Sequence, residues 1–234
     1  MKGKVAYITG GSKGIGFGVA KKLVEEGMRV AISGRTLKTV QQASEYLGNT
    51  DNVLALQSDV TILDSEKAAI EKILATWGQL DVVLANAGVG HFAAVDEMSD
   101  EQWHSMINTN LNGVFHTLKA AVAALKKSKG YYITLASLAG TNFFASGAGY
   151  NATKFGVVGF TQAAMLDLRK YDIKVSTIMP GSVATHFNGN EPDEKDAWKI
   201  QPEDIGDLVL DLLKMHPRTL PSKVEVRPTR PDKK

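Results

Sequence analysis

Val5-Ala6-Tyr7-Ile8-Thr9-Gly10-Gly11-Ser12-Lys13-Gly14-Ile15-Gly16 is the stretch whose reading decides the fold. Val5–Thr9 is a run of apolar, aromatic and β-branched residues, which reads as a buried strand. The glycines after it mark a tight turn, and a helical apolar pattern opens at Ile15 and runs to Glu26, with Gly27 as its stop signal. A strand that passes through glycines into a helix lets backbone N–H groups and the positive end of the helix dipole approach a pyrophosphate. The spacing here is T-G-x-x-x-G-x-G rather than G-x-G-x-x-G. Such a turn also serves ordinary strand–helix connections, so its meaning depends on the rest of the chain.

The same alternation continues to the end of the chain. Strand-like runs fall near Val5–Thr9, Arg29–Ser33, Val53–Gln57, Leu80–Ala85, Tyr131–Ala136, Lys174–Met179 and Lys223–Val226. Helical patterns fall near Ile15–Glu26, Leu37–Leu47, Asp64–Trp77, Asp100–Lys126, Tyr150–Lys170 and Pro202–Met215, with Ser99 placed to cap the fourth. This order predicts an α/β fold: a doubly wound, Rossmann-type parallel sheet of about seven strands with helices on both faces. Right-handed crossovers then gather the loops at the C-terminal edge of the strands, where ligands bind in such sheets. The pattern predicts one dinucleotide-binding and catalytic domain over residues 1–227 and a short, solvated polar tail over 228–234.

With 234 residues, 44% hydrophobic and 22% charged, the chain can build one sizeable α/β core. A net charge of +2 with no basic tract gives no electrostatic footprint for nucleic acid. No segment has the length of a membrane-spanning helix, and Met1–Gly11 lacks the apolar stretch of an export signal, so the expected location is cytoplasmic. Absence of cysteine excludes disulfides and thiolate chemistry. His91, His104, His116, His186 and His216 show no metal-ligand spacing, and no metal site is expected.

The residues after the second strand bear on the cofactor. A site for NAD normally offers a carboxylate there, to the ribose 2′-OH. This chain has Ser33-Gly34-Arg35-Thr36, and a guanidinium can pair with a 2′-phosphate that an acid would repel. Lys13 in the glycine turn adds a second cation, and the expected cofactor is NADP(H). Tyr150 and Lys154 lie four residues apart on a helical pattern, so they share a face. Carbonyl reduction needs a proton delivered to the developing alkoxide, and a free tyrosine has a pKa of about 10. A neighbouring ammonium would favour phenolate and draw that value down. Ser137, at the end of an apolar strand, places a hydroxyl where it can hold the substrate oxygen.

Thr9-Gly10-x-x-x-Gly14-x-Gly16, Asp59-Val60, Asn86-Ala87-Gly88, Asn110-x-x-Gly113, Ser137, Tyr150-x-x-x-Lys154 and Pro180-Gly181-Ser182-Val183-x-Thr185 occur in one order across nearly the whole chain. Together they resemble the short-chain dehydrogenase/reductase family, in its compact single-domain branch, which includes 3-oxoacyl-carrier-protein reductases and related NADPH carbonyl reductases. The resemblance implies that Tyr150 is the general acid in reduction and the base in oxidation. It implies that Lys154 lowers its pKa and holds the nicotinamide ribose, and that Ser137 orients the carbonyl. Asn110 would kink its helix and anchor a water that relays protons from Lys154. Gly10, Ser12, Lys13, Gly14, Ile15, Gly16, Ser33 and Arg35 would bind the adenosine and phosphate half of the cofactor. Asp59 and Val60 would contact adenine, Asn86, Ala87 and Gly88 would pack along the cofactor, and Pro180, Gly181, Val183 and Thr185 would line the nicotinamide.

The implied activity is hydride transfer between NADP(H) and a small-molecule carbonyl or alcohol, most simply ketone reduction, with a 3-oxoacyl thioester among the candidate substrates. The alternative is a catalytically silent NADP(H)-binding regulatory protein. Small-residue helix faces (Ala120–Ala124, Ala163–Met165) lead to the expectation of a homodimer or homotetramer. Lys126, Lys127, Lys129, Arg169 and Lys170 cluster where such reductases dock an acidic carrier protein, although cations at helix C-termini also complement the dipole. Departures from the family pattern include a short, polar 186–199 segment and Arg227-Pro228 after the last strand. Phe92, Phe143, Phe144 and Phe187 fall in segments that approach the carbonyl site, as a substrate wall or as ordinary packing.

Overall fold

A computed structural model describes residues 1–48 and 51–230. Its strands are β1 (Val5–Thr9), β2 (Arg29–Gly34), β3 (Val53–Gln57), β4 (Val82–Ala85), β5 (Tyr131–Leu135), β6 (Lys174–Pro180) and β7 (Lys223–Val226). Its α-helices are α1 (Gly14–Glu25), α2 (Leu37–Tyr46), α3 (Leu63–Trp77), α4 (Asp100–Met106), α5 (Gly113–Ser128), α6 (Ala148–Leu168) and α7 (Pro202–Lys214). All seven strands form one parallel sheet in the order β3-β2-β1-β4-β5-β6-β7. The chain therefore winds outward from β1 in one direction and from β4 in the other. Between β1 and β4 lies the topological switch point, where the connecting loops part and leave a crevice.

Strand residues alternate between two cores, as a sheet covered on both faces requires. Ala6, Ile8, Val30, Ile32, Leu84 and Ile133 meet the helices that carry Val19, Leu23, Ile205 and Val209. Tyr7, Ala31, Val83, Tyr132, Val175 and Met179 meet those that carry Ile70, Ile73, Leu118, Ala121 and Val157. The expected helix boundaries hold to within two residues for five of the six patterns. Gly27 has the positive φ of 82° that ends α1, and Ser99 forms a reciprocal capping box with Gln102 at the start of α4.

The sixth pattern, Asp100–Lys126, is not a uniform α-helix. A π-helical turn over Ile107–Asn112 separates α4 from α5 and contains Asn110. An apolar count at helical spacing does not separate a π turn from the α-helices on either side of it. Among the described residues no helix is long and apolar enough to cross a membrane.

The second core holds one acid. Glu66 of α3 is fully buried and accepts Tyr7 Oη (2.9 Å) and Ser58 Oγ (2.6 Å) on Oε1, and Thr117 Oγ1 (2.8 Å) on Oε2. Tyr7 Oη is also 2.9 Å from Ser33 Oγ, so the carboxylate ties the C-terminal ends of β2 and β3 to α3 and α5. Burial and the Glu66 charge hold the Tyr7 phenol well above its ordinary pKa.

Candidate active site

A cleft of about 1720 Å³ runs along the C-terminal edge of the sheet. It begins at the glycine turn. Gly10 (φ 64°) and Gly14 (φ 56°) take the left-handed conformation that side chains resist. The first turn of α1 carries no acid and no side-chain cap, which leaves its N–H groups directed at the cleft. Ser12, Lys13 and Ile15 line the cleft beside them. Gly16 does not line it. A Cβ there would stand 2.5 Å from Asn86 Nδ2 and 2.7 Å from the Gly10 carbonyl, so the absence of a side chain at Gly16 lets the start of α1 pack against the end of β4.

Asn86 fastens the turn to β4. Its Nδ2 donates to the Thr9 and Gly10 carbonyls (2.7 and 3.0 Å), while Thr9 Oγ1 accepts from Asn86 N and Ala87 N (3.0 and 3.1 Å). Ala87 and Gly88 continue along the cleft wall. Toward the outer strands the cleft is lined by Ser33, Arg35, Asp59 and Val60. Lys13 and Arg35 are solvent-exposed, and among the described residues neither enters an ion pair. Asp59 is occupied with its own turn, its Oδ1 accepting from Thr61 N and Oγ1 (2.9 and 2.8 Å). Two cations and an engaged carboxylate leave this end of the cleft electropositive.

At the other end Ser137, Tyr150 and Lys154 meet. Ser137 leaves β5 and accepts from Ala139 N (3.1 Å). Asn151 clamps that loop to α6, its Nδ2 donating to the Ala139 and Asn142 carbonyls at 2.7 Å each. Lys154 Nζ donates to the Leu135 carbonyl (2.9 Å) and lies 5.5 Å from the centre of the Tyr150 ring. Asn110 is buried outside the cleft lining. Its Oδ1 accepts from Val89 N and its Nδ2 donates to the Val89 carbonyl, both 2.8 Å, with Thr153 Oγ1 at 3.2 Å. Pro180, Gly181, Val183 and Thr185 close the wall after β6, and a parallel bridge from Val183 to Ile200 ties down both ends of the intervening segment.

Burial dominates the electrostatics of this pair. Burial pushes the Tyr150 phenol up to about 12, and the group that opposes this is Ser137, not Lys154. Burial also draws the Lys154 ammonium down to about 8, while its proton points at a main-chain carbonyl. In the protein's own field the phenol is protonated at neutral pH. That is the state a proton donor needs.

Several parts of the site carry no signal in the sequence. Phe17, Thr36, Thr39, Asn142, Trp198 and Lys199 line the cleft, as do Arg227 and Pro228, so the expected polar tail begins in the wall. Residues 231–234 of that tail lie outside the described residues. Of the aromatic candidates, Phe92, Phe144 and Phe187 line the cleft, whereas Phe143 is 85% exposed and does not. His186 lines it and His91 does not.

The short chain dehydrogenase model matches residues 4–196. The chain belongs to the short-chain dehydrogenase family. It is an oxidoreductase of that family, 34% identical over 228 residues to an uncharacterised oxidoreductase of Staphylococcus aureus, covering 96% of this chain and 97% of that one. An alcohol dehydrogenase from the archaeon Thermococcus sibiricus, solved with 5-hydroxy-NADP, superimposes with a TM-score of 0.91 at 31% identity, covering 98% and 99% of the two chains. A 3-ketoacyl-(acyl-carrier-protein) reductase of Brucella melitensis, solved with NADH, shares the fold with a TM-score of 0.90 at 24% identity, covering 98% of each.

Proposed function

We propose that this short-chain dehydrogenase reduces a small-molecule ketone or aldehyde with NADPH. The observation that carries the reading is the buried Tyr150 beside Ser137 and Lys154, at the opposite end of one cleft from the unpaired cations Lys13 and Arg35. A dinucleotide fits this cleft: the left-handed glycines and uncapped α1 terminus form a pyrophosphate cradle, and the NADP analogue in the Thermococcus enzyme supports the choice of cofactor.

In this reading Gly10, Ser12, Lys13, Gly14 and Ile15 hold the pyrophosphate. Ser33 and Arg35 receive the phosphorylated ribose, and Asp59 and Val60 border the adenine. Asn86, Ala87 and Gly88 run beneath the cofactor, and Pro180, Gly181, Val183 and Thr185 flank its nicotinamide. When bound, the reduced nicotinamide supplies a hydride. Ser137 orients the carbonyl oxygen, and Tyr150 transfers its phenolic proton to that oxygen as negative charge develops. Lys154 holds the nicotinamide ribose and supplies a positive field to the phenolate left behind. Asn110 fixes Val89 and would anchor a water that relays protons from Lys154 to solvent.

Lys126 and Lys170 lie over the Tyr171 ring and Lys129 pairs with Asp172 at 2.8 Å. Phe115, Phe155 and Leu166 are exposed on α5 and α6, which supports a homodimer or homotetramer. The location proposed is cytoplasmic. Oxidation of NADPH, monitored by its absorbance with a panel of ketones and aldehydes, tests the function. Turnover of at least one carbonyl is expected, and tight NADPH binding without turnover of any would make the chain a regulatory binding protein instead.

A further inference from the structure

The walls around Tyr150 are aromatic, and they come from three separate loops. Phe92 meets the Tyr150 ring edge-on with centroids 5.4 Å apart, Phe187 meets it at 5.7 Å with a tilt of 54°, and Phe144 extends the row from Phe92 at 5.8 Å. All three line the cleft, and Phe92 and Phe144 are 43% and 49% exposed. The backbone is shaped to admit them. A Cβ on Gly90 would stand 2.6 Å from the Phe187 ring, and one on Gly147 would stand 2.6 Å from the Phe144 ring. The floor under Tyr150 is also apolar, built from Met106 and Ala139 with Val89 and Met98.

Half-exposed rings inside a concave site gain most when a ligand with its own apolar surface covers them. The cations nearby are already engaged: Lys199 pairs with Asp196 at 2.6 Å and Arg227 with Glu225 at 3.1 Å. A carboxylate or phosphate on the substrate would have to compete with those partners.

We infer that the row formed by Phe144, Phe92 and Phe187 around Tyr150 selects a carbonyl compound bearing a flat apolar group, an aryl ketone or aryl aldehyde in class. The inference rests on the reductase reading above. The carbonyl carbon gains the hydride that NADPH provides and the oxygen gains the Tyr150 proton, giving an aryl carbinol and NADP⁺. The aryl group lies against the phenylalanines.

Acetophenone, pyruvate and dihydroxyacetone phosphate serve as probes with NADPH, for the wild type, Phe144→Ala and Phe144→Trp. Phe144 touches Phe92 rather than Tyr150 and is half exposed, so its removal does not disturb the proton donor or the core. Acetophenone is expected to exceed both anionic probes in kcat/KM by about a hundredfold. Phe144→Ala should lower that preference about tenfold, mainly through KM, and Phe144→Trp should retain it. Calorimetric binding of 1-phenylethanol gives a readout independent of turnover: the wild type binds it, and Phe144→Ala binds it about tenfold more weakly. Equal or faster turnover of pyruvate or dihydroxyacetone phosphate, or an equal loss on all three probes in Phe144→Ala, overturns the inference. If no carbonyl is turned over, the reductase reading fails, and the aromatic wall stands or falls on 1-phenylethanol binding alone.

Discussion

Replacing Lys154 with methionine should make the protein more stable while disabling it. The ammonium is held in a fully buried position that draws it from its ordinary 10.5 to about 8, with desolvation as the cause. At about 1.4 kcal/mol per tenfold change in proton affinity, keeping that charge inside the folded protein at neutral pH costs about 3 kcal/mol. Methionine has a similar length and no charge. It forfeits the hydrogen bond to the Leu135 carbonyl, a loss of about 1–2 kcal/mol. The net gain is about 1–2 kcal/mol, or roughly 2–8 °C in Tm for a protein of this size.

The sign of the pH dependence comes from the direction of the shift. The folded state binds the lysine proton less tightly than the unfolded chain does, so the penalty is fully present below about pH 8. It fades as pH rises toward the unfolded value, where both states are neutral. Scanning calorimetry of wild type and Lys154→Met should therefore show the variant melting higher at pH 7, with the gap closing by about pH 10. Turnover should be lost throughout. A variant that melts lower at pH 7, or a gap that does not change with pH, would refute the reasoning.

Three other outcomes are expected. Arg35→Asp places a carboxylate where the 2′-phosphate would lie, and the NADPH/NADH ratio of kcat/KM should fall by about a hundredfold or more; an unchanged ratio removes Arg35 from that role. Reduction should show a kcat/KM that is level below about pH 8 and falls above it, because Lys154 loses its charge there while Tyr150 keeps its proton to about 12; a rise with pH would point to a base instead. Glu66→Leu deprives Tyr7, Ser58 and Thr117 of their acceptor and should cost about 2–4 kcal/mol in denaturant unfolding. Glu66→Gln should cost less than about 1 kcal/mol, since its amide can donate to Thr117 while that hydroxyl turns to the Gly113 carbonyl at 2.9 Å; equal losses in both variants would contradict the network.

Most of the fold is legible in the sequence because its signals are local. Val5–Thr9 into Gly10–Gly16, with Gly27 closing the helix, contains its own start, turn and stop, and parallel strands buried on both faces announce themselves as apolar runs. The site's skeleton is legible for a related reason: Ser33, Asp59, Asn86, Ser137 and Gly181 sit at or just beyond strand ends, and a doubly wound sheet brings strand ends together. The parts that escape a sequence reading depend on contacts between distant residues. Glu66 looks like one more polar residue on an amphipathic helix, and its partners stand at positions 7, 58 and 117; only Tyr7, a phenol within an otherwise apolar strand, hints that a buried acceptor is needed. The state of Tyr150 is not legible, because four-residue spacing shows only that Lys154 is near. It does not show that both groups are desolvated, or that the ammonium turns to Leu135. Composition alone places Pro228 in a solvated tail, whereas β7 delivers it to the cleft.

The central claim is that Tyr150 is the proton donor, and the most direct measurement is single-turnover hydride transfer from NADPH in Tyr150→Phe, with cofactor affinity measured in parallel. The expected result is an NADPH Kd within about twofold of wild type and a transfer rate lower by about a thousandfold. A variant that keeps more than about a tenth of the wild-type rate would contradict that role.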